Sequence, residues 1–162
     1  LTMEIVFILG GDNSGKSTLV RCLSGLGRGN HSHPSDRNIA ELSWVGVDQP
    51  LKTFCLISSL NERPKTISPK ELEPILDGYE AKGCSKAILC ISTSVYEAGW
   101  AVQDYFRQMK GERLGQHIVT HVCRLRGATH AVPNGVSIVD VPEALRTRNG
   151  IASHVRKGIG LL

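Results

Sequence analysis

Apolar residues recur along the chain with two periods, and the alternation between them sets out the elements. Strand-length runs occur at Glu4–Leu9 (EIVFIL), Glu41–Val47, Thr53–Ser59, Lys86–Ser92 (KAILCIS), Gln116–Cys123 and Val136–Val141. Lys86–Ser92 is a continuous apolar run, the type buried on both faces of a parallel sheet. Between them the apolar positions shift to helical spacing. A first helix is predicted from about Lys16 to Leu23, stopping before Gly25. A second is predicted within Thr66–Gly83, where Ser68, Pro69 and Glu71 read as a capping box with proline in the first turn. Leu72, Ile75, Leu76 and Tyr79 form its apolar face, and Pro74 predicts a kink. A third is predicted from Ser94, with Glu97 three residues on, to about Lys110; its stripe is Ala98, Ala101, Val102, Tyr105 and Met109, and Gly111 closes it. A last helix is expected to start around Asp140, Pro142 and Glu143 and to be interrupted at Asn149-Gly150. About six strands with helices between them predict one α/β domain over residues 1–162, three-layered and doubly wound around a mainly parallel sheet. Ligands of such sheets bind beyond the carboxyl ends of the strands.

Two connections stand out. Gly25–Arg37 (GLGRGNHSHPSDR) is longer than an ordinary loop, and loops of that length often carry function. Asp48-Gln49-Pro50 punctuates a turn between two strand runs, which form either a hairpin or two strands of one sheet.

The chemistry concentrates at Gly10–Thr18, GGDNSGKST, between the first strand and the first helix. Gly10, Gly15, Lys16 and Ser17 fit G-x-x-x-x-G-K-[ST]. Glycines let the backbone curl so that its N–H groups point at phosphate oxygens. The helix behind adds free N–H groups and the positive end of its dipole. Lys16 is expected on the β- and γ-phosphates and Ser17 on Mg²⁺. Gly11, Asp12, Asn13, Ser14 and Thr18 complete the expected nucleotide-binding loop.

Composition changes this picture little. The 162 residues suit one domain with a full core, and no apolar run is long enough to cross a membrane, so no membrane partner is expected. The Leu-Thr pair ahead of Met3 reads as a cloning remnant. Cys22, Cys55, Cys84, Cys90 and Cys123 are scattered with no C-x-x-C pair, which predicts buried reduced thiols and a cytoplasmic protein. The net charge of +4 is uneven. From Arg107 onward nine Lys or Arg face three acids, a bias suited to a nucleotide or nucleic-acid phosphate, or to a solvated face. His31 and His33 lie in the long loop without a third ligand in the pattern, His117 and His121 are expected to share a strand face, and Trp44 and Trp100 are expected in the core.

Through the loop at Gly10–Thr18 the chain resembles the P-loop NTPase superfamily, whose Walker A motif this is. The resemblance implies a P-loop fold that binds a nucleoside triphosphate, ATP or GTP, with Mg²⁺. A Walker B acid ends a second apolar strand in that superfamily; here only Glu41–Val47 ends in one, so Asp48 is the first candidate for Mg²⁺ or a general base, with Glu62 and Asp36 in reserve. The layout also looks like the Ras-like small GTPases, yet no D-x-x-G follows Thr53–Ser59, and Gln116–Cys123 ends in Arg124-Leu125-Arg126-Gly127 instead of N-K-x-D. The other resemblance is to small P-loop kinases, which carry arginines near the moving phosphoryl group. It implies that Arg124 and Arg126 neutralise that charge and that Asp36, in the long loop, orients an acceptor hydroxyl. Kinase transfer to a nucleotide-like, nucleic-acid or small-metabolite hydroxyl is therefore the leading expectation. A hydrolysing NTPase switch or motor subunit, and a binding module without turnover, are the alternatives.

Overall fold

Strand β1 (Glu4–Gly10) is apolar after its first residue, and its last six residues are all buried. The computed structural model describes residues 2–12, 14–24, 39–42 (backbone only), 51–62, 66–94 and 99–160. In chain order β1 is followed by α1 (Lys16–Ser24), β2 (Ile39–Leu42), β3 (Leu51–Cys55), α2 (Pro69–Ala81), β4 (Lys86–Ser92), α3 (Val102–Phe106), β5 (Arg113–Leu114), β6 (His117–Arg124), β7 (Ser137–Asp140) and α4 (Arg148–Gly158).

The fold is α/β with a mostly parallel sheet. Its strand path is β2-β3-β4-β1-β6-β5, and β7 pairs with β6 as a seventh strand. β1 lies parallel between β4 and β6, β3 is parallel to β4, and β7 is parallel to β6. Among the described residues the antiparallel strand pairs are β2 with β3 and the short β5 with β6. The chain thus leaves β1 for the β3 side, returns to β4, and then crosses over β1 to β6. That reversal puts a topological switch point at β1, where open α/β sheets bind ligands.

Alternation along β1 divides the core. Ile5, Phe7 and Leu9 join Leu72 and Leu76 of α2 and Val102 and Tyr105 of α3. Val6 and Ile8 join Leu19, Val20 and Leu23 of α1 and Ala152 and Val155 of α4. Helices therefore cover both faces, and each fully buried aliphatic side chain contributes about 1.5–3 kcal/mol. The Phe7 and Phe106 rings meet edge to face at 5.9 Å, and Phe54 stacks on Tyr79 at 3.7 Å. All five cysteines are free thiols, four of them buried. Burial pushes Cys55, Cys90 and Cys123 up to about 12, which makes them packing groups in place of nucleophiles.

Several elements differ from their sequence patterns for identifiable reasons. α2 runs through Pro74 without ending, and the Glu71 carboxylate accepts from the Ser68 N–H at 2.9 Å as the capping pattern implied. α3 starts at Val102, not near Ser94: the Asp104 carboxylate caps the Ala101 N–H at 2.8 Å, while the Ser94 N–H is taken by the Ser92 hydroxyl. α4 starts at Arg148, so Asn149-Gly150 lies in its first turn and does not interrupt it; the Thr147 hydroxyl accepts from the Gly150 N–H. Gln116 belongs to the two-residue turn of the β5–β6 hairpin, with Gly115 at φ 59°. Glu41 and Leu42 lie in the antiparallel β2–β3 pair, while the rest of the Glu41–Val47 run, with Trp44, lies outside the described residues.

The two histidines of β6 do not share a face. The β1–β6 register slips between Ile5, opposite Val119, and Val6, opposite His121, so one extra residue of β6 is accommodated. The bulge inverts the alternation beyond it. His117 lies on the α2 side, fully buried, with Nδ1 accepting from the Met3 N–H and Nε2 2.7 Å from Asp77. His121 lies opposite Val6 on the other side, near Lys86 and Glu4, and burial together with the Lys86 charge lowers its pKa.

Candidate functional site

The glycine-rich loop leaves the carboxyl end of β1 at the centre of the sheet and enters α1. Three contacts hold it. The Thr93 N–H donates to the Gly10 carbonyl at 3.0 Å, tying the loop to the end of β4. The Asp12 N–H donates to the Ser94 hydroxyl at 3.2 Å. The Ser14 N–H closes a turn onto the Gly11 carbonyl at 3.2 Å. Gly15 has φ 90°, a left-handed backbone that L side chains rarely adopt, and a Cβ at Gly10 would collide with the Ser14 hydroxyl. Both glycines of the motif thus have a steric reason to be glycine.

The loop borders a cavity of about 520 Å³ lined by Asp12, Ser14, Gly15, Lys16, Ser17, Thr18, Ser59 and Glu62. Six of these come from the loop and the first turn of α1, whose N–H groups have no intrahelical acceptor. The Ser14 hydroxyl is buried with no hydrogen-bond partner, a polar atom that a ligand oxygen would satisfy. The Lys16 ammonium turns back on its own loop, donating to the Gly11 carbonyl at 2.7 Å. Burial lowers its pKa, with Cys90, Asp12 and Glu62 opposing the shift.

Ser59 and Glu62 reach the cavity from the turn after β3. The Leu60 N–H donates to the Cys90 carbonyl at 2.8 Å, anchoring that turn to β4. The Glu62 carboxylate accepts from the Ser59 N–H at 3.2 Å. Ser17 donates its hydroxyl to the Ile57 carbonyl at 3.2 Å. A serine hydroxyl and a carboxylate on one cavity suit a hard cation that prefers oxygen and keeps most of its waters, so the residues present fit Mg²⁺. Among the described residues, no three His, Cys, Asp or Glu side chains converge as a metal cage.

The remaining predicted site residues separate into two groups. Asn13, Asp36 and Asp48, with His31 and His33, lie outside the described residues. Arg124 ends β6 and Arg126 lies two residues beyond it, at the carboxyl end of the strand, but neither lines the cavity. Arg124 makes a two-pronged pair with Asp140, Nε–Oδ1 2.6 Å and Nη2–Oδ2 2.8 Å, and donates to the His130 carbonyl at 3.2 Å. The Arg124 guanidinium, hydrogen-bonded to Asp140, holds that carboxyl below the usual carboxylate range. Arg126 is exposed, in a left-handed backbone at φ 37° followed by Gly127 at φ 76°.

Sequence reasoning gave Glu62 only a reserve place and missed Ser59 and Asn61. The signal was local: Ser59-Leu60-Asn61-Glu62 follows an apolar strand and places three polar groups at its carboxyl end. Asn61, fully buried, donates Nδ2 to the Ser92 and Trp100 carbonyls, both at 2.9 Å, and accepts from the Ser92 N–H at 2.9 Å. Trp100, expected in the core, is 43% exposed.

Comparison with protein-family models, with curated proteins and with solved structures finds no match to this chain. No helix among the described residues is long and apolar enough to cross a membrane.

Proposed function

We propose that this chain is a P-loop phosphotransferase: it holds a nucleoside triphosphate, ATP or GTP, in the loop Gly10–Thr18 and passes the γ-phosphoryl group to an acceptor hydroxyl. The observation that carries the reading is the cavity at the switch point. There a glycine-rich loop, the open amino end of α1, the buried ammonium of Lys16, the Ser17 hydroxyl and the Glu62 carboxylate share one space. Such a set suits phosphates and a divalent cation better than an apolar ligand.

Phosphoryl transfer asks the protein for position and charge more than for covalent chemistry. Lys16 would leave the Gly11 carbonyl for phosphate oxygens, exchanging a neutral acceptor for a charged one. The α1 N–H groups and the Ser14 hydroxyl would hold the remaining oxygens. Ser17 and Glu62 are the residues that would hold Mg²⁺, which when bound neutralises charge on the phosphates. Arg126, unencumbered by any ion pair among the described residues, is the arginine best free to meet charge on the moving group; Arg124 is engaged by Asp140.

The pairing of Arg124 favours a second reading, hydrolysis completed by a group from a partner, because it removes one of two arginines from direct service. One experiment separates the two. With γ-³²P-ATP and Mg²⁺, turnover alone should be slow and should rise when the right acceptor is added, the label appearing on that acceptor. Phosphate-bearing acceptors, nucleotides and DNA or RNA come first, given the basic C-terminal third. Robust hydrolysis that no acceptor changes would favour the second reading.

A further inference from the structure

Trp100 is the most exposed aromatic residue among the described residues, yet its backbone carbonyl is tied to a fully buried side chain. Its carbonyl accepts from the buried Asn61 amide, the same amide that bonds Ser92, and Ser92 lies opposite Gly10 in the β1–β4 register. Asn61 is the neighbour of Glu62, which lines the cavity. Trp100, 43% exposed, thus has its backbone tied, through Asn61, to the β3–β4 side of β1 near the start of the loop. Ser59 and Glu62, the two cavity residues that do not come from the loop and α1, stand on that same side. Trp100 stands out by this exposure, since Leu60, Val102 and Tyr105, large side chains close to it or to Asn61 along the chain, are buried. An exposed aromatic face on a residue whose backbone is tied to the turn that lines the cavity suits a nucleobase, which offers a π-face whatever its sequence identity.

We propose that Trp100 is the stacking surface for a nucleobase of the phosphate acceptor, which makes the acceptor a nucleotide or a nucleic-acid end. The proposal rests on the phosphotransferase reading, because it assigns the β3–β4 side of the cavity to the acceptor and leaves the loop to the donor phosphates.

The test uses the full chain with Trp44→Phe, so that Trp100 is the remaining one of the two tryptophans. Its emission is titrated with nucleoside monophosphates, with ATP, and with inorganic tripolyphosphate as a probe that lacks a base. Monophosphates should quench Trp100, and should still do so with Lys16→Ala, while tripolyphosphate should not quench. By calorimetry, Trp100→Ala should weaken monophosphate binding roughly 5- to 150-fold, the range expected of one base on one aromatic ring. Tripolyphosphate affinity should be unchanged, and Trp100→Phe should restore monophosphate binding to within about threefold. Far-ultraviolet circular dichroism of each variant checks the fold. Unchanged monophosphate affinity in a folded Trp100→Ala protein overturns the proposal. So does quenching by ATP alone, abolished by tripolyphosphate, since the ring would then serve the donor base. Monophosphate quenching in a protein that binds no tripolyphosphate would support the stacking surface while overturning the donor-loop reading on which the transfer assignment stands.

Discussion

The Lys16 ammonium donates to the Gly11 carbonyl five residues back, at 2.7 Å, so the loop closes on itself through its own cation. The bond leaves a largely buried charge with a neutral partner, and burial lowers its pKa. Lys16→Ala should therefore abolish tight triphosphate binding without unfolding the protein, since no core contact depends on the ammonium. Calorimetry with ATP and tripolyphosphate, beside a thermal melt, checks both halves; a variant with parental affinity would remove the phosphate-loop reading. The sign of the pH dependence follows. Phosphate binding needs the protonated lysine, so tripolyphosphate affinity should fall as pH rises through the lowered pKa, below the range where an exposed lysine titrates.

Glu62 and Ser17 line one cavity from different elements, the turn after β3 and the first turn of α1. If the pair serves Mg²⁺, Glu62→Gln should weaken Mg²⁺-dependent nucleotide binding or turnover by about tenfold or more while leaving Mg²⁺-free binding near parental. The estimate of scale is the cost of losing one charged group from a site, of order 1.5–3 kcal/mol. Asp48→Asn and Asp36→Asn are the comparison variants. A parental Mg²⁺ response in Glu62→Gln together with a lost one in Asp48→Asn would return the acid to the β2–β3 connection.

The central strands were legible because their physics is local. Lys86–Ser92, apolar between its end residues, forms β4 over the same residues and is buried throughout, and the loop at Gly10–Thr18 announces itself by residue types that only its backbone shape explains. What sequence could not show depends on partners distant along the chain. The β6 bulge that separates His117 from His121 is a misfit between strands over 100 residues apart. The tie between Asn61 and the Trp100 carbonyl, just ahead of α3, spans 39 residues and has no signature in the local pattern. Arg124 was read as free to meet phosphate, and its partner Asp140 lies on the neighbouring strand. Glu62 ranked low because a carboxylate in a turn has no periodic signature.

Lys86 and Glu4 are opposite one another across β4 and β1, with Nζ 3.7 Å from Oε2 and the lysine side chain only 3% exposed. Burial pulls the Lys86 pKa down to about 8, with Glu4 offsetting part of the shift. Below about 8 the ammonium is charged in both states and its burial cost is fully present. As pH rises from about 8 toward 10.5 the folded protein releases the proton while the unfolded chain keeps it, so stability should rise with pH in that window. The gain is on the order of 3 kcal/mol at most, from the size of the shift. Lys86→Met should lose that rise and be the more stable protein near neutral pH. Urea melts of both proteins across this window measure it, and parallel curves would show that Lys86 titrates like a lysine in water.

Arg126 offers the sharpest separation of stability from activity. With Gly127 it forms a turn in which both central residues have positive φ, closed by the Ala128 N–H on the Leu125 carbonyl at 3.1 Å. Glycine suits the first central position, and arginine there carries a left-handed backbone that costs about 1–2 kcal/mol. Arg126→Gly should relieve part of that strain and stabilise the protein by about 0.5–1 kcal/mol, the loss of chain stiffness in the unfolded state offsetting the rest. Arg126→Ala retains the strain and should leave stability near parental. Transfer should respond differently: both variants remove the guanidinium, and both should lower the rate of γ-phosphoryl transfer more than ATP affinity, because charge on the moving group grows only in the transition state. Arg124→Ala is the control; it breaks an ion pair whose Asp140 side is 60% exposed, so it should cost little stability. A protein that gains stability and loses transfer on Arg126→Gly would show strain held in place for function. Parental transfer in Arg126→Gly would take Arg126 out of the reaction, and unchanged stability would mean that the turn stores no strain at that residue.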